Sequence, residues 1–350
     1  MSQHITIASI VIALGMTQAS ASFAAECAAV IDPVVSVSHG SRYTDDSKTR
    51  SDFDAENEAE IDKALGPVDT FIIDLARLSN RALSDIAKDK PDSARESADC
   101  LLDAVALWAK ADAISELGTM NAELSVPSRL GGIAIAFANT KALASDNPER
   151  KAVIDAWLAA RATATMAFFD GPDVPPRAGR NNLRSWADLA VLSIGLSLED
   201  DAMIAWARAS VGETICSSLP DGALPLEMQR GPLSLHYQIH AVTPLVTIAA
   251  LLQDAGVPLT PDCATDLSRI VAFTLDAIAD PTLVEAHAGV AQDFKPGPDG
   301  LKPSEAAWLA PWLSLETSPE AQALAVKFPA LANSKLGGDL TLIWPMASDK

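Results

Sequence analysis

Apolar residues recur at spacings of three, four and seven along most of this 350-residue chain, the period of amphipathic helices rather than strands. The stretch Val68–Lys88 carries Ile72, Ile73, Leu75, Leu78 and Leu83 in this pattern. The same period predicts helices at 93–117, 128–145, 149–169, 181–198, 200–218, 235–255, 262–279, 304–314 and 317–331. Proline and glycine clusters punctuate them, as at Gly171-Pro172-Asp173-Val174-Pro175-Pro176 and Lys295-Pro296-Gly297-Pro298. Only Leu340–Trp344 reads as a strand, and a short one.

A repeat runs through the helical pattern. Trp108, Trp157 and Trp206 stand 49 residues apart and then 49 again, in the settings LWAKA, AWLAARA and AWARA. A period of this size fits one antiparallel helix pair with its loops, and several such pairs build a solenoid or a closed toroid. At this spacing the three tryptophans read as core, whereas Trp186, Trp308 and Trp312 are candidates to stack on sugar rings. A composition rich in Ala, Leu, Asp and Glu supports an all-α fold.

The N-terminus reads as an export signal. Ile5–Met16 is apolar and too short to span a bilayer, and small-residue cleavage sites follow at Ala19-Ser20-Ala21 and Ser22-Phe23-Ala24. The n-region has no Lys or Arg, only His4. Residues 1–25 are therefore expected to be a signal peptide, and 26–350 one periplasmic or secreted domain, since no Gly/Ser linker divides it. No later segment reads as a membrane span, so no membrane association is expected after signal cleavage. Four cysteines suit an oxidising compartment, and nearest-neighbour pairing, Cys27–Cys100 and Cys216–Cys263, is the simplest of three connectivities.

The formal net charge of −20 argues against nucleic acid and anionic lipid as partners. An acidic polymer would need a groove of locally reversed charge. Two windows offer one. Between Glu227 and Asp254 no acid occurs, and Arg230, His236, Tyr237 and His240 fall inside this interval. Such residues suit a site that grips a carboxylate and moves a proton. The second window, Pro175–Trp186, sets Arg177, Arg180 and Arg184 beside Asn181 and Asn182 at a predicted helix start, where an anion can be held. His236 and His240 share a helix face at metal-ligand spacing, but the HExxH glutamate and a third ligand are missing, so no metal or other cofactor is expected. Asp221 and Glu227 are candidates for a glycosidase pair if they face each other. The polar stretch Ser36–Arg50 has the composition of a mobile lid, with Arg42, Tyr43 and Arg50 placed to touch a ligand.

These residues resemble the alginate lyases of the poly(β-D-mannuronate) lyase type. The family's NNHxYW motif is met by Asn181-Asn182-Leu183-Arg184-Ser185-Trp186. Its LPxELKR…ALxYHxxALxPL segment is met by Leu224–Arg230, then Leu235-His236-Tyr237 and Ala241–Leu245. Ser41-Arg42-Tyr43 with Arg50 resembles the family's lid loop, placed here within 36–55, and Cys27 and Cys100 fall where the family has a disulfide. The segments Ala307–Pro311 and Leu336–Asp339 are similar as well.

The resemblance implies an incomplete α/α toroid, monomeric, that cleaves a uronate polymer by β-elimination without a cofactor. It implies that Asn182 and Arg230 neutralise the C6 carboxylate and that Tyr237 serves as base and acid. Arg42, Tyr43, Asn181, Arg184, Trp186 and His236 would bind the anionic polysaccharide. One departure is marked: Leu183 stands at the family's motif histidine and Ser185 at its tyrosine. This leaves two expectations, a lyase limited to syn elimination and a lyase-like protein that binds an anionic exopolysaccharide without cleaving it.

Overall fold

A computed structural model of the chain describes Cys27, residues 31–259 and residues 261–346, the side chains of 261–266 apart. The expected signal peptide lies outside these residues. Twelve α-helices follow in order among the described residues: α1 (Ala55–Ala87), α2 (Pro91–Lys110), α3 (Met120–Ser125), α4 (Pro127–Thr140), α5 (Pro148–Phe169), α6 (Asn182–Leu198), α7 (Asp201–Cys216), α8 (Ser234–Asp254), α9 (Pro261–Ala279), α10 (Thr282–Ala288), α11 (Leu309–Leu315) and α12 (Pro319–Ala325).

Local chemistry starts them. The side chains of Asp54, Asn147, Asn181, Asp200 and Ser318 each accept a hydrogen bond from a first-turn N–H, satisfying donors that have no partner inside the helix. Proline opens α2, α4, α5 and α12, where its missing N–H costs nothing.

The helices form two layers. α1, α4, α6, α8 and α11 pack in succession as an inner layer, while α2, α5, α7 and α9 cover them from outside. The chain thus alternates inside and outside, which is an incomplete α/α toroid. α6 is buried nearly all round because it serves two cores. Its Trp186, Leu189 and Leu192 join α7, α8, α9 and α11, and its Ala190, Val191 and Ile194 join α1, α2, α4 and α5. Truncating Leu189 to alanine would cost about 2–5 kcal/mol in such packing. The repeating tryptophans all lie on outer helices. Trp157 on α5 donates to the Ala113 carbonyl in the loop after α2, and Trp206 on α7 donates to Asp170 at the end of α5. Each ties its own outer helix to the chain that follows the previous one.

Element boundaries differ from expectation for local reasons. α1 begins at Ala55 and runs through Pro67, because the Asp54 cap starts it and Ile61, Leu65 and Val68 continue one buried stripe. α2 ends at Lys110 rather than 117, since Asp112 and Ile114 turn to positive φ. The chain then pairs in parallel, β1 (Ser36–Val37) beside β2 (Glu116–Leu117). Leu340–Trp344 is not a strand. The Asp339 side chain accepts from Thr341 N–H at 3.0 Å and bends Leu340–Leu342 into a 3-10 turn.

Just before that turn, β3 (Ala332–Asn333) and β4 (Gly338–Asp339) form a small antiparallel hairpin that docks on α1 and α4. The approach needs Gly132 on α4, where a Cβ would lie 2.4 Å from the Ser334 carbonyl oxygen. It carries Lys335 to the toroid interior.

Cys27 is disulfide-bonded to Cys100 on α2. The expected partner of Cys216, Cys263, lies outside the described side chains. Contrary to the reading of the sequence, α5 and the span Gly231–Asp254 are long and apolar enough to cross a membrane by length and composition. In Gly231–Asp254, 78% of the apolar window is buried inside the protein, as suits a central inner helix.

Candidate active site

A cavity of about 1220 Å³ opens on the inner layer. Residues at the first turns of α4, α6 and α8 line it, so three helix N-termini bring their positive dipole ends to its wall. Nine Lys and Arg side chains line the cavity against one acid, Glu305. In a chain of net charge −20 this is a local reversal of sign.

At the start of α6, Asn181 caps the helix through its side chain, accepting from Leu183 N–H at 3.0 Å. Asn182 is buried and held by Glu227, which accepts from its backbone N–H at 2.7 Å and from Nδ2 at 2.9 Å. The Asn182 Oδ1 has no partner among the described residues. Burial pushes the Glu227 carboxyl up to about 7, against the Asn182 hydrogen bonds and the Arg230 charge. Leu183 lines the cavity wall beside them.

Arg230 precedes α8. Gly231 at φ +56 turns the chain there, close against Thr49. The guanidinium carbon lies 3.4 Å from the centre of the Tyr237 ring. Nε donates to the Thr49 carbonyl at 3.1 Å, and Nη2 donates to the Arg50 carbonyl at 2.8 Å and to Tyr43 Oη at 3.1 Å. The Tyr43 and Tyr237 hydroxyls are hydrogen-bonded to each other. The segment carrying Tyr43, pinned by its bridge to Phe53, therefore lies against the pair Arg230–Tyr237. Burial raises the Tyr237 phenol above its ordinary value, Arg230 opposes this, and Tyr43 reinforces it. The phenol is thus held protonated, a donor in its resting state.

Tyr237 and His240 lie one turn apart on α8, with ring centres 6.2 Å apart. His236 stands edge-on to Tyr237, and its Nδ1 is 3.4 Å from Glu305 Oε1. His240 packs against the Trp186 indole, whose Nε1 donates to the His240 carbonyl at 3.2 Å. Burial lowers the His240 imidazole well below its ordinary range, and Lys335, His236, Arg42 and Arg230 add to the effect. Lys335 is itself lowered to about 7 by burial and by the Arg129 charge, while Asp69 opposes.

The structure thus brings Asn182, Arg230, Tyr237, Tyr43, Asn181, His236 and Arg42 to one cavity. Arg184 is not among them. On a helix it points away from its neighbour at 183, and its Nε meets the buried Asp188 at 2.9 Å while its guanidinium covers Trp206. Trp186 lines the cavity but is 2% exposed and committed to the His240 carbonyl, which leaves little face for a sugar. Trp308 and Trp312 are buried core residues and offer none. Asp221 and Glu227 do not face each other, since Asp221 meets His287 at 2.6 Å and Glu227 holds Asn182.

Sequence reasoning missed Lys335, Arg129 and the positioning role of Glu227. A lone arginine in the apolar run VPSRLGGIAIAF is the signal that marks Arg129, which pairs with Asp69 at 2.8 and 2.9 Å. For Lys335 the only local sign is the adjacent Gly337-Gly338.

Comparison with known proteins agrees with this fold. The alginate lyase family model matches residues 95–283. A polysaccharide lyase of Stenotrophomonas maltophilia is 32% identical over 252 residues, 71% of this chain and 72% of that protein. An alginate lyase of Pseudomonas syringae pv. syringae is 27% identical over 318 residues, covering 89% of this chain and 80% of the other. Among solved structures, alginate lyase A1-III complexed with a tetrasaccharide superposes with a TM-score of 0.74 at 23% identity, over 91% of this chain and 86% of that one. The same lyase from Sphingomonas species A1 gives a TM-score of 0.71.

Proposed function

The chain belongs to the alginate lyase family, and we propose that it is a polysaccharide lyase that cleaves a polyuronate, of the polymannuronate type, by β-elimination. The observation that carries the reading is the cavity itself: nine basic side chains against one acid in an acidic protein, gathered around Asn182, Arg230 and Tyr237.

The chemistry follows from the groups. Removing the C5 proton of a uronate places negative charge on the C6 carboxylate. Arg230 and the Asn182 amide neutralise it, an electrostatic task worth about 10²- to 10³-fold per donor. Tyr237 protonates O4 as the C4–O4 bond breaks. In the simplest scheme it also takes the C5 proton, which suits substrates whose C5–H and C4–O lie on one face, as in β-D-mannuronate. Segment 36–55 acts as a lid: Tyr43 and the Thr49 and Arg50 carbonyls occupy Arg230, and give it up to the substrate carboxylate. Arg42 and His236 hold flanking uronates. The disulfide Cys27–Cys100 fits an exported protein working in the periplasm or outside the cell.

Incubation with polymannuronate, polyglucuronate, polyguluronate and hyaluronan tests this, followed by the ultraviolet absorbance of the C4–C5 double bond. The expected result is a rise on polymannuronate or polyglucuronate that Tyr237→Phe abolishes. Full activity in Tyr237→Phe overturns the mechanism, and new reducing ends without the double bond indicate hydrolysis.

A second reading rests on Leu183, an inert side chain in the cavity wall where the resemblance places a histidine. In that reading the protein binds an anionic exopolysaccharide without cleaving it. Its signature is affinity for the polymer with no unsaturated product.

A further inference from the structure

A base is needed at C5, and the resting Tyr237 phenol answers only the other half of the reaction, donation to O4. The cavity holds another group suited to accept a proton. His240 lines the cavity, and no hydrogen bond to its ring nitrogens occurs among the described residues. The Trp186 indole donates to its backbone carbonyl and packs against its ring, with centres 5.2 Å apart, and leaves the ring nitrogens unoccupied among the described residues. The charged or titratable groups that oppose its protonation are all basic. Arg230 stands in the loop before α8, His236 on α8, Arg42 on the segment before α1 and Lys335 on the C-terminal hairpin, while α6 presents the Trp186 indole. Burial chiefly, with these neighbours adding to it, lowers the imidazole well below its ordinary range and leaves it neutral at neutral pH, the form with a lone pair to offer.

Tyr237 and His240 are three residues apart on one helix face, with ring centres 6.2 Å apart. Two groups so placed approach a bound sugar from the same side. That is the geometry of a syn elimination in which one group takes the C5 proton and its neighbour protonates O4.

We infer that His240 is the base at C5 and Tyr237 the acid at O4, a division of labour that rests on the lyase reading above. The C5–H bond breaks and its proton goes to a His240 ring nitrogen. The electron pair forms the C4–C5 double bond and the C4–O4 pair leaves with O4. The Tyr237 hydroxyl proton passes to O4. The resulting imidazolium and phenolate then exchange a proton through solvent and restore the resting pair. Arg230, against the Tyr237 ring, stabilises the transient phenolate.

The test is steady-state kinetics of the mature protein on polymannuronate, with His240→Gln and His240→Ala. The expected result is a fall in kcat of about 100-fold or more with KM little changed. The wild type should lose kcat as pH falls and the imidazole protonates, and His240→Gln should lack that acid limb. Added imidazole should restore part of the activity of His240→Ala, which a merely structural role would not produce. Retained kcat in both variants overturns the inference while leaving the lyase reading intact. So does a loss that imidazole does not relieve and that leaves the acid limb in place. If His240→Ala does not fold, the pH profile of His240→Gln decides. A wild type that yields no unsaturated product on any polyuronate overturns both readings together.

Discussion

Arg230 and Tyr237, seven residues apart in sequence, are stacked in space: the guanidinium carbon lies 3.4 Å from the phenol ring centre while Nη2 donates to Tyr43, whose hydroxyl meets that of Tyr237. One side chain therefore sets the charge beside the proton-transfer group and holds the segment that covers it. Lysine keeps the charge but loses the planar fork. Arg230→Lys is expected to lower kcat/KM by about 100-fold or more, read from the initial rate of unsaturated product. Near-native kcat/KM would remove Arg230 from carboxylate neutralisation.

Substrate capture should depend on salt. The basic cavity sits in a protein of net charge −20, so attraction is local and the surrounding field repels a polyanion. At 0.1 M ionic strength charges beyond about 10 Å are screened. Raising salt from very low levels should first lower KM, as the general repulsion is screened, and then raise it as the cavity contacts weaken. A KM independent of salt would exclude an electrostatic grip.

Glu227 links stability to pH. Its buried carboxyl titrates near 7 rather than the ordinary 4.5. The folded state therefore holds this proton more tightly than the unfolded chain. The resulting stabilisation is complete below about 4.5 and is lost as pH rises toward 7. Asp188, raised to about 7 mainly by burial, contributes in the same direction. Glu227→Gln should flatten the fall in melting temperature across this window. It should also lower kcat, because an amide no longer accepts both Asn182 donors. An unchanged slope would show that Glu227 is ionised in the fold throughout.

The disulfide Cys27–Cys100 closes a loop of 73 residues in sequence separation. In the chain-entropy account such a loop is worth about 4 kcal/mol. Cys100→Ser should lower the melting temperature while the folded protein keeps its activity, since both cysteines lie away from the cavity lining. Equal thermal stability would show that this crosslink adds nothing to the stability of the fold.

The incomplete toroid of alginate-lyase pattern and the part given to Asn182 came from the family resemblance. The helical period and the tryptophan repeat were enough to read an all-α array of helix pairs, and the acid-free window picked out Arg230 and Tyr237. These are local signals. An amphipathic stripe, a cap such as Asp54 or a missing acid is written in neighbouring positions. What the sequence did not determine was direction and pairing across the ring. Arg184 sits among the candidate anion-binding residues of its window, yet the 3.6-residue turn sends it to Asp188 behind α6. Trp308 and Trp312 read as sugar platforms until the packing of α11 on α8 buried them.

Only the folded toroid brings Lys335 and Arg129 into one cavity with His240, and Glu227 up to Asn182 across 45 residues of chain. The neutrality of His240 and the protonation of Tyr237 are properties of burial and of groups drawn from α8 and its preceding loop and from the distant segments that carry Arg42, Tyr43 and Lys335. Charge and burial act through space, so no local pattern carries them. The sequence alone determined which side chains were available and where helices begin. The tertiary structure decided which of them face one another, and with that which can share a proton.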